Sequence, residues 1–188
     1  MVDVCTSDGD RCRVHERRVL ELGLTVGTQI EDDTRTVLSR YAQVDAAEQR
    51  MLRLIARRAR SQAELLARLR TLGLESSAAQ ETVERLRRVG LVDDQALAAS
   101  VAERTRSRGH GRLRVEHDLQ RLQVDPRSSA EVLAEQPDQE RERAHAVVVK
   151  RFGAIPTDPA DLARASAHLC RRGYDPDTVA TVLRLELD

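Results

Sequence analysis

The sequence predicts an all-α protein: tandem three-helix repeats in an elongated array, with a small N-terminal β-hairpin and helix extension. The first observation is an internal register of fifty residues. Leu69, Leu119 and Leu169 align, followed by Leu72/Leu122/Arg172, Leu74/Val124/Tyr174, Ala79/Ser129/Val179 and Val83/Leu133/Leu183. A supersecondary unit used three times in this way stacks on its neighbours and presents surface to a large partner, rather than enclosing a small substrate. The second is composition: Tyr41, Phe152 and Tyr174 are the only aromatics. Leu, Val, Ile and Ala must fill the core, which suits helix packing. The third is punctuation, because acidic or Ser caps and Gly stops recur at helical intervals.

The elements follow in order. Val2–Cys5 and Arg11–Val14 flank Ser7-Asp8-Gly9-Asp10, and an Asp-Gly between two short β-prone runs reads as a hairpin turn. With Asp8-Gly9 as the turn, Cys5 falls opposite Cys12; a cross-strand disulfide, a metal site begun by Cys5, Cys12 and His15, or plain reduced thiols are the alternatives. From Ala46 the signals are helical. Ala47, Met51, Leu54 and Ile55 share a face, and Ser61-Gln-Ala-Glu64 has the form of a capping box ahead of Leu65, Leu66, Leu69 and Leu72. Gly73 supplies a left-handed stop. Ser77-Ala-Ala-Gln80 reads as a second capping box before Ala79, Val83 and Leu86, and Asp93 as the cap of a helix carrying Leu97 and Val101. Val115, Leu119 and Leu122 lead to Asp125-Pro126, Asp138 opens the next helix, and Asp158-Pro159 and Asp175-Pro176 open the last two, each with Asp as cap and Pro in the first helical position. Nine helices result from Ala46 onward, grouped as repeats over 46–90, 93–135 and 138–188 after an extension over 1–44. Tandem units of this kind are expected to form an elongated monomer.

The 31 basic and 31 acidic residues cancel, so net charge selects no partner. Distribution is more telling. Between Arg104 and Arg114 lie Arg104, Arg106, Arg108, Arg112, Arg114 and His110 with no acid, and a second group, Arg57, Arg58 and Arg60, also sits where one helix ends and another begins. Placed on corresponding corners of successive repeats, the two would make a basic stripe able to bind phosphates or an acidic protein surface. The bland alternative is that arginines at helix C-termini complement the macrodipole. Arg85, Arg87 and Arg88 alternate with Glu81 and Glu84 and read as a solvated face.

Catalytic constellations are not legible. The chain has no Gly-rich phosphate loop, Cys-x-x-Cys, His-Glu-x-x-His or Gly-x-Ser-x-Gly, and its five histidines read as solvated surface residues. Neither cofactor nor metal is expected. The scarcity of aromatics argues against stacked bases. There is no apolar run near the ~18 residues a membrane span needs and no secretory signal, so a cytoplasmic location is the expectation.

The residues Ala56-Arg-Arg-Ala-Arg-Ser-Gln-Ala-Glu-Leu65 with Leu69 and Gly73, Gly90-Leu-Val-Asp-Asp-Gln-Ala-Leu-Ala-Ala99, Arg108-Gly-His-Gly-Arg112 with Glu116 and Leu119, and Leu169-Cys-Arg-Arg-Gly-Tyr174 resemble the RecX family of regulators of the RecA recombinase. Ala59 stands where the family usually has Pro, Leu97 and Val101 where aromatics are common, and Gln123 where Gly is expected. The resemblance implies a modular helical protein that lodges in the groove of the RecA–single-stranded DNA filament. It would lower recombinase ATP hydrolysis and strand exchange, and so modulate recombinational DNA repair and the SOS response, without chemistry of its own. Direct contact with single-stranded DNA would be weak and sequence-independent. On that reading the partner-binding residues are Arg57, Arg58, Arg60, Arg104, Arg106, Arg108, Arg112, Arg114, Lys150, Arg151, Arg171 and Arg172. A helix-turn-helix-like protein acting on duplex DNA is the alternative, although no helix stands out as offering Arg, Asn or Gln to base edges.

Overall fold

A computed structural model describes residues 1–134 and 136–185. Two strands and ten helices are present among them: β1 (Val2–Cys5), β2 (Arg11–Val14), α1 (Glu16–Glu21), α2 (Asp32–Ile55), α3 (Gln62–Thr71), α4 (Ser76–Arg88), α5 (Asp94–Ser107), α6 (Arg112–Arg121), α7 (Pro126–Leu133), α8 (Pro137–Phe152), α9 (Pro159–Arg171) and α10 (Pro176–Leu183). They divide into two compact units, Met1–Val92 and Asp93–Asp188.

Three separate cores carry the fifty-residue register. Leu69, Leu119 and Leu169 are buried at its centre, and so are Leu65, Val115 and Ala165. The first core unites Met51 of α2, Leu65 and Leu69 of α3, and Val83 and Leu86 of α4; the second unites α5, α6 and α7; the third unites α8, α9 and α10. Each is a small aliphatic cluster, and Tyr174 is the one aromatic that is fully buried.

Local chemistry explains the helix boundaries. Ser61 Oγ accepts from Glu64 N at 3.1 Å while the Glu64 carboxylate accepts from Ser61 N, which completes the expected capping box. Asp93, Asp125, Asp158 and Asp175 each accept a backbone N–H at the start of the helix they precede. Such caps contribute about 1 kcal/mol apiece. Gly73, Gly90, Gly109 and Gly173 turn with positive φ at the ends of α3, α4, α5 and α9. Gln123 occupies that same conformation after α6, at φ 54°.

Three sequence expectations are corrected. The first long helix begins at Asp32 rather than Ala46, because Leu38 is buried and Asp45 accepts a hydrogen bond from His15 N at 2.7 Å, so tertiary partners sustain a stretch that lacks a clear apolar stripe. Ser77 lies inside α4, whose N-cap is Glu75, so Ser77-Ala-Ala-Gln80 is not a capping box. The hairpin register also differs: Cys12 pairs with Val4 and Cys5 with Arg11. Thr6 and Asp10 close a three-residue loop in which Gly9 takes φ 91°, and one extra loop residue shifts the pairing by one and points the two cysteines to opposite faces. Cys5, Cys12 and Cys170 are free thiols, and among the described residues there is no cluster of His, Cys, Asp or Glu able to hold a metal.

The hairpin docks on α2. Val14 is fully buried, and Arg35 reaches Asp8 and Asp10 at 3.0 and 2.9 Å. Among the described residues no helix is long and apolar enough to cross a membrane.

Candidate functional site: a basic cleft in the second unit

The loop from α5 to α6 reads Arg108-Gly109-His110-Gly111-Arg112, and its glycines exist for packing. The first N–H groups of a helix have no intrahelical partner. At α6 they are satisfied by α8 and by the turn that follows α9: Gly111 N donates to Arg172 O at 3.0 Å, Arg112 N to the Glu140 carboxylate at 2.7 Å, and Leu113 N to Gly173 O at 3.0 Å. This contact demands bare backbone on both sides. A Cβ on Gly111 would lie 2.4 Å from Gly173 O, and one on Gly173 would lie 2.5 Å from Arg114 N. Glu140 is buried where it accepts this bond.

Side chains fasten the same seam. Arg172 Nη1 donates to the carbonyls of Arg108 and Gly109 at 2.9 and 3.2 Å, and Tyr174 Oη donates to Gly109 O at 3.1 Å. Arg143 Nε donates to His110 O at 3.1 Å. Burial pushes the Tyr174 phenol up to about 12, so it stays protonated as the donor the contact requires.

Beside the seam opens a cleft of about 610 Å³, lined by Arg106 and Arg108 at the end of α5, Arg143, Lys150 and Arg151 of α8, His168 of α9, and Arg172 just after it. Among the described residues lining it there is no carboxylate. Lys150 and Arg151 are exposed, as are Arg104, Arg108 and Arg171, and these five make no ion pair among the described residues. Six cations around one concavity create a potential that draws in phosphate or carboxylate groups. His168 lies within reach of these charges. Burial, and then the charges of Arg172, Arg151 and Arg171, hold its imidazole below the ordinary value of 6.5. Arg172 Nε donates to His168 Nε2 at 3.1 Å, an arrangement that needs the neutral ring.

This yields a prediction about pH. The folded state binds a proton at His168 less readily than the unfolded chain, so stability is unaffected above about 6.5 and falls as acidification passes through that value toward the lower folded one. An NMR titration of His168 should show a midpoint below 6.5, raised when Arg151→Gln removes one neighbouring charge. A midpoint that Arg151→Gln leaves unmoved would mean that the charges of the cleft do not act on His168.

The expected binding arginines are thus brought together only in part. Arg106, Arg108, Lys150, Arg151 and Arg172 converge on the cleft. Arg172 and Arg106 also hold structure, the latter through Val132 O. Arg112 serves the seam through its backbone, while Arg114 pairs with Asp118 at 3.3 Å. Arg171 lines an adjoining groove. In the first unit, Arg57 is exposed, but the capping-box carboxylate of Glu64 takes Arg58 at 2.6 Å and Arg60 at 3.4 Å. Burial raises the Glu64 pKa, yet the bond from Arg58, its charge, and smaller contributions from Ser61 and Arg60 outweigh this, so the net shift is downward. Arg85 is no mere solvated face: it reaches across to Glu48 of α2 at 2.6 Å. The solvated-histidine reading is likewise corrected for His110 and His168, both half-buried at the seam and cleft.

Sequence reasoning missed Arg143, His168 and the roles of Tyr174 and Glu140. A signal was present for one neighbour: Arg172 occupies a register position that is Leu72 and Leu122 in the other two repeats, and a cation replacing an apolar residue marks a place where repeats differ in use.

Three-helix repeats, each with its own core, and a cation-lined cleft beside a backbone seam define a helical-repeat protein with a cationic concavity in its second unit. Models of the first and third three-helix domains of RecX match residues 47–86 and 138–183. The chain is 32% identical over 171 residues to the regulatory protein RecX of Corynebacterium efficiens, covering 85% of this chain and 81% of the relative. It is 35% identical over 141 residues to that of Xanthomonas campestris, with 74% and 87% covered. A crystal structure of regulatory protein RecX shares the fold with a TM-score of 0.76 at 19% identity, covering 96% of this chain and 93% of that one. RecX from Lactobacillus salivarius gives 0.66 at 15%, with 76% and 95% covered. The chain belongs to the RecX family of regulatory proteins.

Proposed function

We propose that this protein binds the RecA–single-stranded DNA filament in the cytoplasm and lowers recombinase ATP hydrolysis and strand exchange, as a monomer and without catalysis of its own. The repeats over 46–90, 93–135 and 138–188 act as successive contact modules. The observation that supports this reading most is the cation-lined cleft of the second unit, whose described lining residues include no carboxylate. Such a surface gains affinity by releasing counterions from a polyanion, so binding should weaken steeply with added salt. The family relationship to regulatory proteins points the same way.

The test is RecA ATPase on single-stranded DNA with the purified protein added. Turnover should fall as the protein is titrated in, with less inhibition at higher salt. Unchanged turnover at saturating protein would remove this function, and tight sequence-specific binding to a duplex would replace it with a duplex-binding one.

A further inference from the structure

A second groove, of about 420 Å³, adjoins the basic cleft and shares Arg151 and His168 with it. Its make-up is different. Phe152, Ala163 and Ala167 supply apolar surface, and Arg151, Arg164 and Arg171 supply its cations. Phe152 meets His168 edge-on, with ring centroids 6.4 Å apart and planes at 81°. The two small alanines on α9 are exposed, so they leave open the space beside the half-buried ring. A volume of this order accommodates a small planar group.

We propose that this groove receives an unstacked nucleobase of a single strand whose phosphates run through the neighbouring basic cleft. The inference rests on the function proposed above and names the single strand itself as the ligand of the second unit. Charge complementarity argues for it: a polynucleotide alone places anionic groups at regular intervals beside flat, weakly polar rings, matching a cationic cleft that continues into an aromatic, arginine-rimmed groove. An acidic protein surface would use the cleft but has no need of the Phe152 groove. A duplex keeps its bases stacked and cannot fill it. The scarcity of aromatics over the whole chain obscures the fact that one of the three lies in this groove.

The experiment compares full-length protein binding, by fluorescence anisotropy at low salt, to a thymidine oligonucleotide and to an abasic strand with the same number of phosphates. The ordinary strand should bind about tenfold more tightly, the contribution of a single well-seated base. Ala167→Gln, an exposed helix-compatible change that fills the groove, should abolish that preference while leaving abasic binding intact. Equal affinity for both strands, or a preference that survives Ala167→Gln, overturns the base site. Recombinase inhibition measured in parallel separates the two claims: inhibition without a base preference leaves the regulatory function standing and removes only this inference. Inhibition with no strand binding at all assigns the cleft to an acidic protein surface and also overturns the inference.

Discussion

Lys150→Glu/Arg151→Glu should abolish most recombinase inhibition while leaving the protein folded. Both side chains are exposed on α8 and make no ion pair among the described residues, so reversal breaks no internal contact. The change alters the cleft by four charge units and places two carboxylates where a phosphate or acidic side chain would sit. On a single strand each neutralised phosphate contact contributes about 0.7 to the slope of log affinity against log salt, so losing two should flatten that slope by about 1.4 and weaken binding by well over tenfold. Arg87→Glu is the control. Arg87 is exposed and pairs with Glu84 at 2.8 Å on the first unit, where a surface pair contributes roughly 0–1 kcal/mol. Arg85 would make a poor control, since its bond to Glu48 ties α4 to α2. Circular dichroism and melting accompany the ATPase assay. If the double reversal inhibits as well as the control does, the cleft is only a solubilising surface.

The largest effect on stability is expected at one repeat position, occupied by Gly73, Gln123 and Gly173 in turn. All three have positive φ: 82°, 54° and 81°. Gly73 has open space around it, so Gly73→Ala should cost only the left-handed backbone strain of about 1 kcal/mol. Gly173→Ala should cost about 3 kcal/mol or more, because its Cβ would also meet the backbone of Arg114 and force the seam apart. For a unit of this size, each kcal/mol lowers the melting temperature by roughly 4–8 °C, so the second unit should melt more than 12 °C lower. Gln123→Gly should move the other way, gaining a few tenths to 1 kcal/mol as strain is relieved against a larger unfolded-state entropy. Gly111→Ala tests the seam alone, since φ there is −86° and any loss arises from the contact with Gly173 O. Equal melting of the Gly73 and Gly173 variants would refute the close approach. Thermal denaturation followed by circular dichroism reads all four.

The repeat, its three cores and most helix starts were legible in the chain because they depend on local chemistry. Each Asp before a Pro at residues 125, 158 and 175 caps the helix that follows, and a buried Leu recurring every fifty residues marks the same corner of the same unit. The family resemblance came from the same punctuation. What local signals could not supply was the start of α2 at Asp32, which is sustained by Asp45, Leu38 and the docked hairpin, or the strand register, which depends on the geometry of a three-residue loop. The site divides along the same line. Its arginines could be counted in the sequence, but Arg143 and His168 lie well down the chain from Arg108 and reach it only through the Gly111–Gly173 seam. Glu64 and Asp118 neutralise some cations while the cleft gathers others. Charge along a chain is additive and visible in sequence; which charges face one another across water or protein is a property of distance, and only packing sets it.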